Sequence, residues 1–174
     1  MLFNFKKRLI FFFLAMFLFL GLFQLGFSIK LDKSFSEELS ENFKNQIQGI
    51  DEIGIFLNNI KIALVMFIPV LGIVVGSFSA FSTGLIFNSI VNLSNANFAN
   101  PLIVFLTPFG ILELVSYGLA ISRGGIFLYE ILKKSVSKKS ITYLFVEIGL
   151  VAVMLFVGAL IEWSMIENIP NDLL

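Results

Sequence analysis

The sequence predicts an all-α fold, a polytopic membrane helix bundle of about five transmembrane helices with an external amphipathic helix. The first reason is composition, since 57% of the residues are hydrophobic, 22 are phenylalanine and 14% are charged. The mean hydropathy of +0.95 is typical of polytopic membrane proteins rather than soluble domains. The second is a series of apolar stretches longer than the roughly 20 residues that a crossing requires. The third is the clustering of basic residues in two short segments, 6–8 and 133–139.

The residue types that are missing narrow the range of functions. The chain has no cysteine and no histidine, which excludes disulfides, thiolate nucleophiles, zinc sites of the usual kind and Ser-His triads. We therefore expect no enzyme, no cofactor and no metal. The formal net charge is zero, and the two short basic segments indicate anionic lipid as a neighbour rather than nucleic acid.

An apolar run over residues 9–27 follows three cations at the start of the chain. A signal peptide is the alternative to a membrane anchor, but its apolar region usually has about 7–15 residues and ends at a small-x-small cleavage site. Residues 24–29 do not offer such a site. We predict that residues 1–29 form a retained transmembrane anchor helix.

Residues 30–56 change character and predict an external amphipathic helical segment. Ser34 followed by Glu37 has the pattern of a capping box. An apolar stripe recurs every three or four residues and consists of Phe35, Leu39, Phe43, Ile47 and Ile50. One interpretation is that this stripe lies on the membrane surface or packs on the protein's own transmembrane helices. The alternative is that it docks to a partner protein.

Residues 57–174 are expected to form the multi-pass membrane domain. Lys61 is the only charged residue in 55–100, so one span cannot account for this length. We predict three helices before the basic segment and a last span after it, at roughly 57–79, 81–97, 101–124 and 141–163. A re-entrant hairpin in 81–100 is the alternative to the second of these.

Small residues repeat at every fourth position in the first half of this domain. This spacing stacks them on one helix face and allows another backbone to approach closely. The predicted packing face consists of Gly72, Gly76, Ala80 and Gly84. Asn88 and four further asparagines up to residue 100 then indicate a polar, turn-prone end.

The orientation follows from the positive-inside rule. It places segments 6–8 and 133–139 in the cytoplasm, so an even number of crossings separates them. The first helix supplies one crossing, and residues 55–128 must therefore supply an odd number. We expect the amino terminus in the cytoplasm of the cell and the carboxyl terminus outside.

Glu113 is the polar residue that most needs an explanation, because it falls near the middle of the predicted fourth helix. An acidic side chain at mid-membrane costs roughly 2.5–3.5 kcal/mol, so Glu113 is expected to face the bundle interior or a wet cavity. Pro108 cannot donate to the carbonyl of Val104, so we predict a kink or an opening there. The alternative is that Pro108 only shapes packing and that Glu113 is protonated and hydrogen-bonded to a neighbour.

Two more carboxylates share one face of the last span. Glu147 lies at a depth similar to that of Arg123, and we predict an ion pair between them. Glu162 lies at the opposite end, where a polar cluster is expected. Its partners there are Asn58, Asn59 and Lys61, unless Lys61 extends to the membrane surface instead.

These motifs support a resemblance that covers the chain from about residue 35 onward. The order Phe56-Leu-Asn-Asn59, the glycine-spaced helix, Pro108-Phe-Gly-Ile-Leu-Glu113 and Leu160-Ile-Glu162 resembles the stage II sporulation protein M family, including its archaeal members of unknown role. The family centre reads Pro-His-Gly-x-x-Glu, and Phe109 stands here at the usual histidine, which weakens any proton-transfer role. Carried over by the resemblance, the matching positions are Asn59, Gly76, Gly84, Pro108, Gly110, Glu113 and Glu162.

The predicted polar centre and function follow from both lines of reasoning. The polar centre consists of Glu113, Pro108, Gly110, Asn59, Glu162 and Asn88. The resemblance implies a non-enzymatic membrane scaffold, which in spore-forming bacteria holds cell-wall hydrolases during engulfment. The alternatives are a carrier or channel for a proton, cation or small solute, and a hydrolase that activates water with two carboxylates. Expected partners are membrane lipid and proteins in the membrane or on its outer face, and a homo-oligomer stays open.

Overall fold

The computed structural model describes residues 5–94 and 100–168, with Phe5 described by its backbone only. The part of the predicted third span at 95–97 and the tail from 169 lie outside these residues. The described chain has no strand, which confirms the all-α fold. Its elements are α1 Phe5–Phe27, α2 Lys33–Ile47, α3 Glu52–Met66, α4 Leu71–Ser94, a 3-10 helix Pro101–Leu106, α5 Pro108–Leu132 and α6 Lys138–Glu167.

Four of these helices, α1, α4, α5 and α6, are long and apolar enough to cross a membrane. They confirm a polytopic membrane helix bundle. The helix α3 has 15 residues, which gives a length of about 22 Å at 1.5 Å per residue. This is shorter than the hydrocarbon core of about 30 Å. The bundle therefore combines four long helices with one short helix where the sequence predicted about five spans.

The helices alternate in direction along the bundle. Arg8 near the start of α1 bonds to Ser122 late in α5, whereas the Phe23 ring packs edge-on against Phe105, just before α5, at 4.9 Å between centroids. These two helices are thus antiparallel. We call the end that holds Arg8 and the α5–α6 loop the basic end, and the opposite end, where α2 lies, the α2 end.

The short helix α3 runs in the same direction as α5. Asn59 contacts Glu113 near the start of α5, and the Met66 carbonyl lies against Gly124, about three turns further along α5. The chain then reverses into α4, and α6 returns antiparallel to α5. The direction therefore changes between every two consecutive bundle helices.

The reversal between α3 and α4 shows that the predicted span at 57–79 was wrong in its bounds. Pro69 has no N–H with which to continue the helical hydrogen bonds, so α3 ends at Met66 and α4 begins at Leu71. Between them Val70 has a φ of 68°, a left-handed conformation that a β-branched residue rarely adopts. A proline without a donor ends this helix, although the surrounding residues are apolar enough to extend it.

The predicted junction near residue 80 was also wrong. The helix α4 is continuous over 24 residues, so the alternative of a re-entrant hairpin fails as far as Ser94. Glycine and alanine at every fourth position do not break this helix, because they lie on its packed face. Its four predicted packing residues Gly72, Gly76, Ala80 and Gly84 are all buried.

Glycines set the crossing of α1 and α4. A Cβ atom added to Gly84 would meet the carbonyl of Phe23, and one added to Gly26 would meet the carbonyl of Phe81. The two backbones are thus in direct contact at a pair of glycines, one from each helix, as small residues permit in membrane bundles. Sequence spacing did not identify Gly26, because its only companion on α1 is Gly21, five residues earlier.

The carboxyl end of α3 is held in a similar way. A Cβ atom on Gly72 would meet the Met66 carbonyl, and a Cβ atom on Gly124 would lie 2.8 Å from the same oxygen. On α4, Gly76 provides space for the side chain of Ile121. Glycines from two helices therefore enclose the end of α3, the shortest helix of the bundle.

The amphipathic helix α2 begins two residues earlier than predicted. Its N-cap is Asp32, which accepts from the Phe35 N–H at 2.8 Å and from the Ser34 hydroxyl at 3.0 Å. The capping box predicted at Ser34 is therefore wrong, because Asp32 already supplies the preferred cap oxygen. The backbone hydrogen bond from Phe35 lowers the pKa of the Asp32 carboxyl.

The packing of α2 leaves part of its apolar stripe uncovered. The helix contacts α4, and its buried residues are Ser36 and Ser40. Of the predicted stripe, Phe35 is 42% and Ile47 is 41% exposed. The predicted external segment extended to residue 56, whereas α3 already begins at Glu52.

Replacing Gly26 by alanine is expected to lower thermal stability. The added Cβ meets a backbone carbonyl that moves only with its helix, and overpacking of this kind costs about 1–3 kcal/mol. Gly21→Ala on the same helix is the matched control, because nothing lies within 4 Å of its added Cβ. Thermal unfolding midpoints in detergent measure both variants. A Gly26→Ala midpoint equal to that of the wild type would contradict the close approach.

Candidate functional site

The start of α5 is shaped by Thr107 and Pro108. The Thr107 hydroxyl accepts from the Gly110 N–H at 3.1 Å and donates to the Val104 carbonyl at 2.6 Å. Pro108 is the first helical residue, a position where its missing N–H costs no hydrogen bond. The predicted kink inside a helix is wrong, because a 3-10 helix ends here and a capped α-helix begins.

Gly110 is buried at this junction, and a Cβ atom on it would meet the Val104 carbonyl. The same carbonyl, which the sequence analysis expected to be left free, also accepts from the Thr107 N–H at 3.2 Å. Gly110 thus allows the 3-10 helix and α5 to meet closely. Gly110 was predicted as part of the polar centre, and what it contributes there is space for this junction.

Glu113 lies about 8 Å along α5 from Pro108, given a rise of 1.5 Å per residue, and not at the middle of a span. Its Oε1 accepts from Nδ2 of Asn59 at 2.5 Å. Asn59 is 9% exposed and its Oδ1 accepts from Nδ2 of Asn58 at 3.5 Å. The amide of Asn59 therefore ties α3 to α5 through the Glu113 carboxyl.

The carboxyl of Glu162 on α6 faces the same region. It is close enough for its charge to act on the Glu113 carboxyl. The charges of both carboxyls also act on the Tyr117 hydroxyl. Tyr117 is buried and its ring stacks on Phe19 of α1 at 5.4 Å between centroids. We call Asn59, Glu113, Tyr117 and Glu162 the carboxylate cluster. Sequence reasoning did not identify Tyr117, although it follows Glu113 by one helical turn.

Lys61 is not part of the carboxylate cluster. Among the salt bridges of the described chain, none joins Lys61 to Glu162, and the Lys61 side chain is exposed. Of the two alternatives for Lys61, the exposed side chain fits extension away from Glu162, since Lys61 lies on a different face of α3 from Asn59.

A second polar group, near the basic end, joins three helices. Arg123 donates from Nε to Oε2 of Glu147 at 2.9 Å and also pairs with its Oε1. Arg8 donates from Nη2 to Oε2 of the same carboxylate at 2.7 Å and from Nη1 to the Ser122 hydroxyl at 2.6 Å. We call Arg8, Ser122, Arg123 and Glu147 the arginine cluster.

The arginine cluster extends the pair predicted from the sequence. Arg123 and Glu147 are brought together, and Arg8 adds a second guanidinium that the sequence analysis assigned only to the basic segment. The side chains of Arg8 and Glu147 are 17% and 16% exposed. Two bidentate guanidinium groups on one carboxylate fix the relative register of α1, α5 and α6.

Asn88 does not join the carboxylate cluster, contrary to the prediction. Its Nδ2 donates to the carbonyl of Phe27 and to that of Ile29 at 2.9 Å, and its Oδ1 accepts from Asn92. It thereby satisfies carbonyls at the end of α1, which a helix leaves without partners. The reason is the crossing at Gly84, which brings the next turn of α4 against the end of α1.

The donor types in these clusters do not point to a metal centre. Within residues 5–94 and 100–168, no group of three or more His, Cys, Asp or Glu side chains is arranged to hold a metal ion. The arginine cluster contains one carboxylate and the carboxylate cluster two.

The fold and these clusters define an integral membrane protein, a helical bundle with paired charges near one end and carboxyl groups near the other. The family model described as stage II sporulation protein M (SpoIIM) matches residues 9–163. The chain therefore belongs to the SpoIIM family, and the resemblance drawn from the sequence is confirmed. Neither a curated protein nor a solved structure matched the chain.

Glu147→Gln is expected to destabilise the protein more than Arg8→Gln. Removing Glu147 leaves two adjacent guanidinium groups without a counter-charge, and breaking a buried pair in this way costs about 3–5 kcal/mol. Removing Arg8 leaves Arg123 and Glu147 paired. Unfolding by increasing fractions of sodium dodecyl sulfate in mixed micelles measures the stability of both variants. A larger loss for Arg8→Gln would contradict the central position of Glu147.

Glu113→Leu is expected to lower the free energy of unfolding more than Glu113→Gln does. Leucine leaves the buried Asn59 amide without an acceptor, which costs about 1–3 kcal/mol, whereas glutamine retains an oxygen acceptor and a similar size. The same mixed-micelle unfolding experiment gives both values. Equal losses for the two variants would show that the hydrogen bond does not hold α3 to α5.

Proposed function

We propose that this chain is a non-enzymatic membrane scaffold or accessory subunit that organises other membrane or cell-envelope proteins. The observation that carries the proposal is the placement of α2, which is held on α4 by its buried serines while Phe35 and Ile47 of its apolar stripe are 42% and 41% exposed. Apolar side chains left uncovered on an ordered helix mark a protein or a membrane interaction site, and we assign these to a protein partner. Family membership supports the same role.

The interior of the bundle supports a static rather than a moving protein. The arginine cluster joins α1, α5 and α6, and Asn88 bonds the end of α1 to α4. Backbone contacts at Gly26 and Gly84 hold the same two helices. A bundle held near both ends would present α2 to a partner in one orientation, as a scaffold requires.

We further propose that the amino terminus is cytoplasmic and that α2 lies outside the cell. Lys6 and Lys7 are exposed at the basic end, and the loop with Lys133 and Lys134 extends from the same end. The positive-inside rule then assigns this end to the cytoplasm. In this orientation the uncovered part of α2 faces proteins of the cell envelope.

The scaffold is tested by changing the uncovered face of α2 alone. Phe35→Ser with Ile47→Ser removes the exposed apolar side chains, and Glu41→Ser with Asn45→Ser alters the opposite, exposed face as a matched control. Because each half-buried apolar side chain contributes about 1 kcal/mol to an interface, the first pair should weaken the affinity for partners that co-purify in mild detergent by about thirtyfold. The control pair should retain them.

The proposal fails if the wild-type protein, purified from its own cells, returns alone. It also fails if the Phe35→Ser and Ile47→Ser pair retains the same partners as the control. Membrane levels of each variant, measured by immunoblot, separate a lost interface from lost insertion.

A second candidate function is a carrier or channel for a proton, a cation or a small solute. The observation that favours it is the electrostatic interaction between Glu113 and Glu162 inside the bundle, since intramembrane acids often mark such paths. Phe109 at the position of the family histidine leaves the cluster without an imidazole, which favours the scaffold.

If the chain is a carrier or channel, proton and cation flux in proteoliposomes should fall for Glu113→Gln. The exposed Glu167→Gln is the control variant. Unchanged flux for Glu113→Gln would contradict this function.

A further inference from the structure

A pocket of about 540 Å³ opens at the α2 end, where the connection from α1 to α2 passes the end of α4. This volume lies in the range of small-molecule sites, roughly 300–1,000 Å³. Its polar lining consists of Ser28, Lys30, Lys33, Ser36, Asn88 and Asn92. Neither the arginine cluster nor the carboxylate cluster contributes to it.

The polar lining of this pocket is rich in donors. Lys30 and Lys33 place two ammonium groups at its edge, and no aspartate or glutamate is among the residues that line it. The Lys33 ammonium lies 3.8 Å from Glu37. Both side chains of that pair are mostly exposed, so it holds Lys33 only weakly. Asp32, between the two lysines in sequence, caps α2 and accepts from the Phe35 N–H and the Ser34 hydroxyl.

The floor of the pocket is ordered and holds an unused donor. Both hydrogens of the Asn88 amide are taken by the carbonyls of Phe27 and Ile29, which fixes that side chain in place. Ser36 is only 2% exposed, yet its hydroxyl makes none of the hydrogen bonds found between described residues. A hydroxyl that lines a pocket and is not used in these bonds is available to donate to a ligand.

Apolar side chains complete the pocket and place it at the edge of the membrane. Phe27 is the last residue of α1, and Leu93 lies at the end of α4, so the pocket is level with the ends of two candidate spans. Leu31 covers another part of the lining. Ammonium groups, a hydroxyl and apolar walls at this depth match a charged headgroup joined to an apolar chain.

We propose that this pocket binds a phosphate group, supplied by the headgroup of a membrane lipid. Lys30 and Lys33 neutralise the phosphate, as lysine does in many phosphate sites, and the Ser36 hydroxyl and the free hydrogen of the Asn92 amide donate to its oxygens. Phe27 and Leu93 contact the first carbons of the lipid chain. The site does not depend on the scaffold proposal or on which side of the membrane it faces.

The test uses the full chain, purified in mild detergent, with phosphatidylglycerol as the probe and native mass spectrometry as the readout. Lys30→Gln with Lys33→Gln removes the two ammonium groups from exposed positions, where folding does not depend on them. The matched control is Lys44→Gln with Lys61→Gln, which removes the same charge from exposed positions outside the pocket. Loss of two charge-assisted hydrogen bonds should weaken binding by about tenfold or more, and the control should change it less than about twofold.

A second arm separates the two sources of a phosphate group. Inorganic phosphate is titrated while the thermal unfolding midpoint is recorded for the same proteins. Phosphatidylglycerol retained by the wild type and lost from the Lys30→Gln, Lys33→Gln pair supports a lipid ligand. A midpoint raised by inorganic phosphate in the wild type but not in that pair supports a phosphate site filled from solution. Equal behaviour of the pocket pair and the control pair in both arms overturns the proposal.

Discussion

One carboxylate, that of Glu147, organises the basic half of the bundle. Two guanidinium groups from helices far apart in sequence share it, and a buried charge left without its partner is costly. The three helices therefore have one favourable register. This register brings α5 and α6 together so that Glu113 and Glu162 face the same region. The carboxylate cluster thus depends on a contact about three to four helical turns away.

Backbone contact plays the corresponding role toward the α2 end. Lipid provides no hydrophobic drive for helices to associate, so close packing and polar contacts must hold them. Gly26 and Gly84 allow α1 and α4 to touch, and Asn88 then reaches the carbonyls that end α1. The connection to α2 leaves this point in a defined direction. The pocket at Lys30 and the exposed side of α2 both follow from that crossing.

Much of the fold was predictable from the sequence, but some helix bounds and side-chain partners were not. Hydropathy identified the membrane class, and the motif around Glu113 identified the family. The bounds of α3 and α4 were missed because Pro69, a single residue in an apolar run, outweighed the glycine pattern. Pro108 was assigned to a helix interior, although Thr107 before it is a good cap. Arg8 was missed as a partner of Glu147 because, in sequence, it is one of three boundary cations.

The sequence by itself determined that this chain is an all-α membrane protein of the SpoIIM family with an amphipathic helix between its first spans. These properties depend on the hydrophobicity and periodicity of segments, which are local. Only the tertiary structure decided which polar atoms meet, since that depends on the rotation and register of helices distant in sequence. It joined Arg8 to Glu147, moved Asn88 from the carboxylates to the end of α1, and left Phe35 and Ile47 of the α2 stripe exposed.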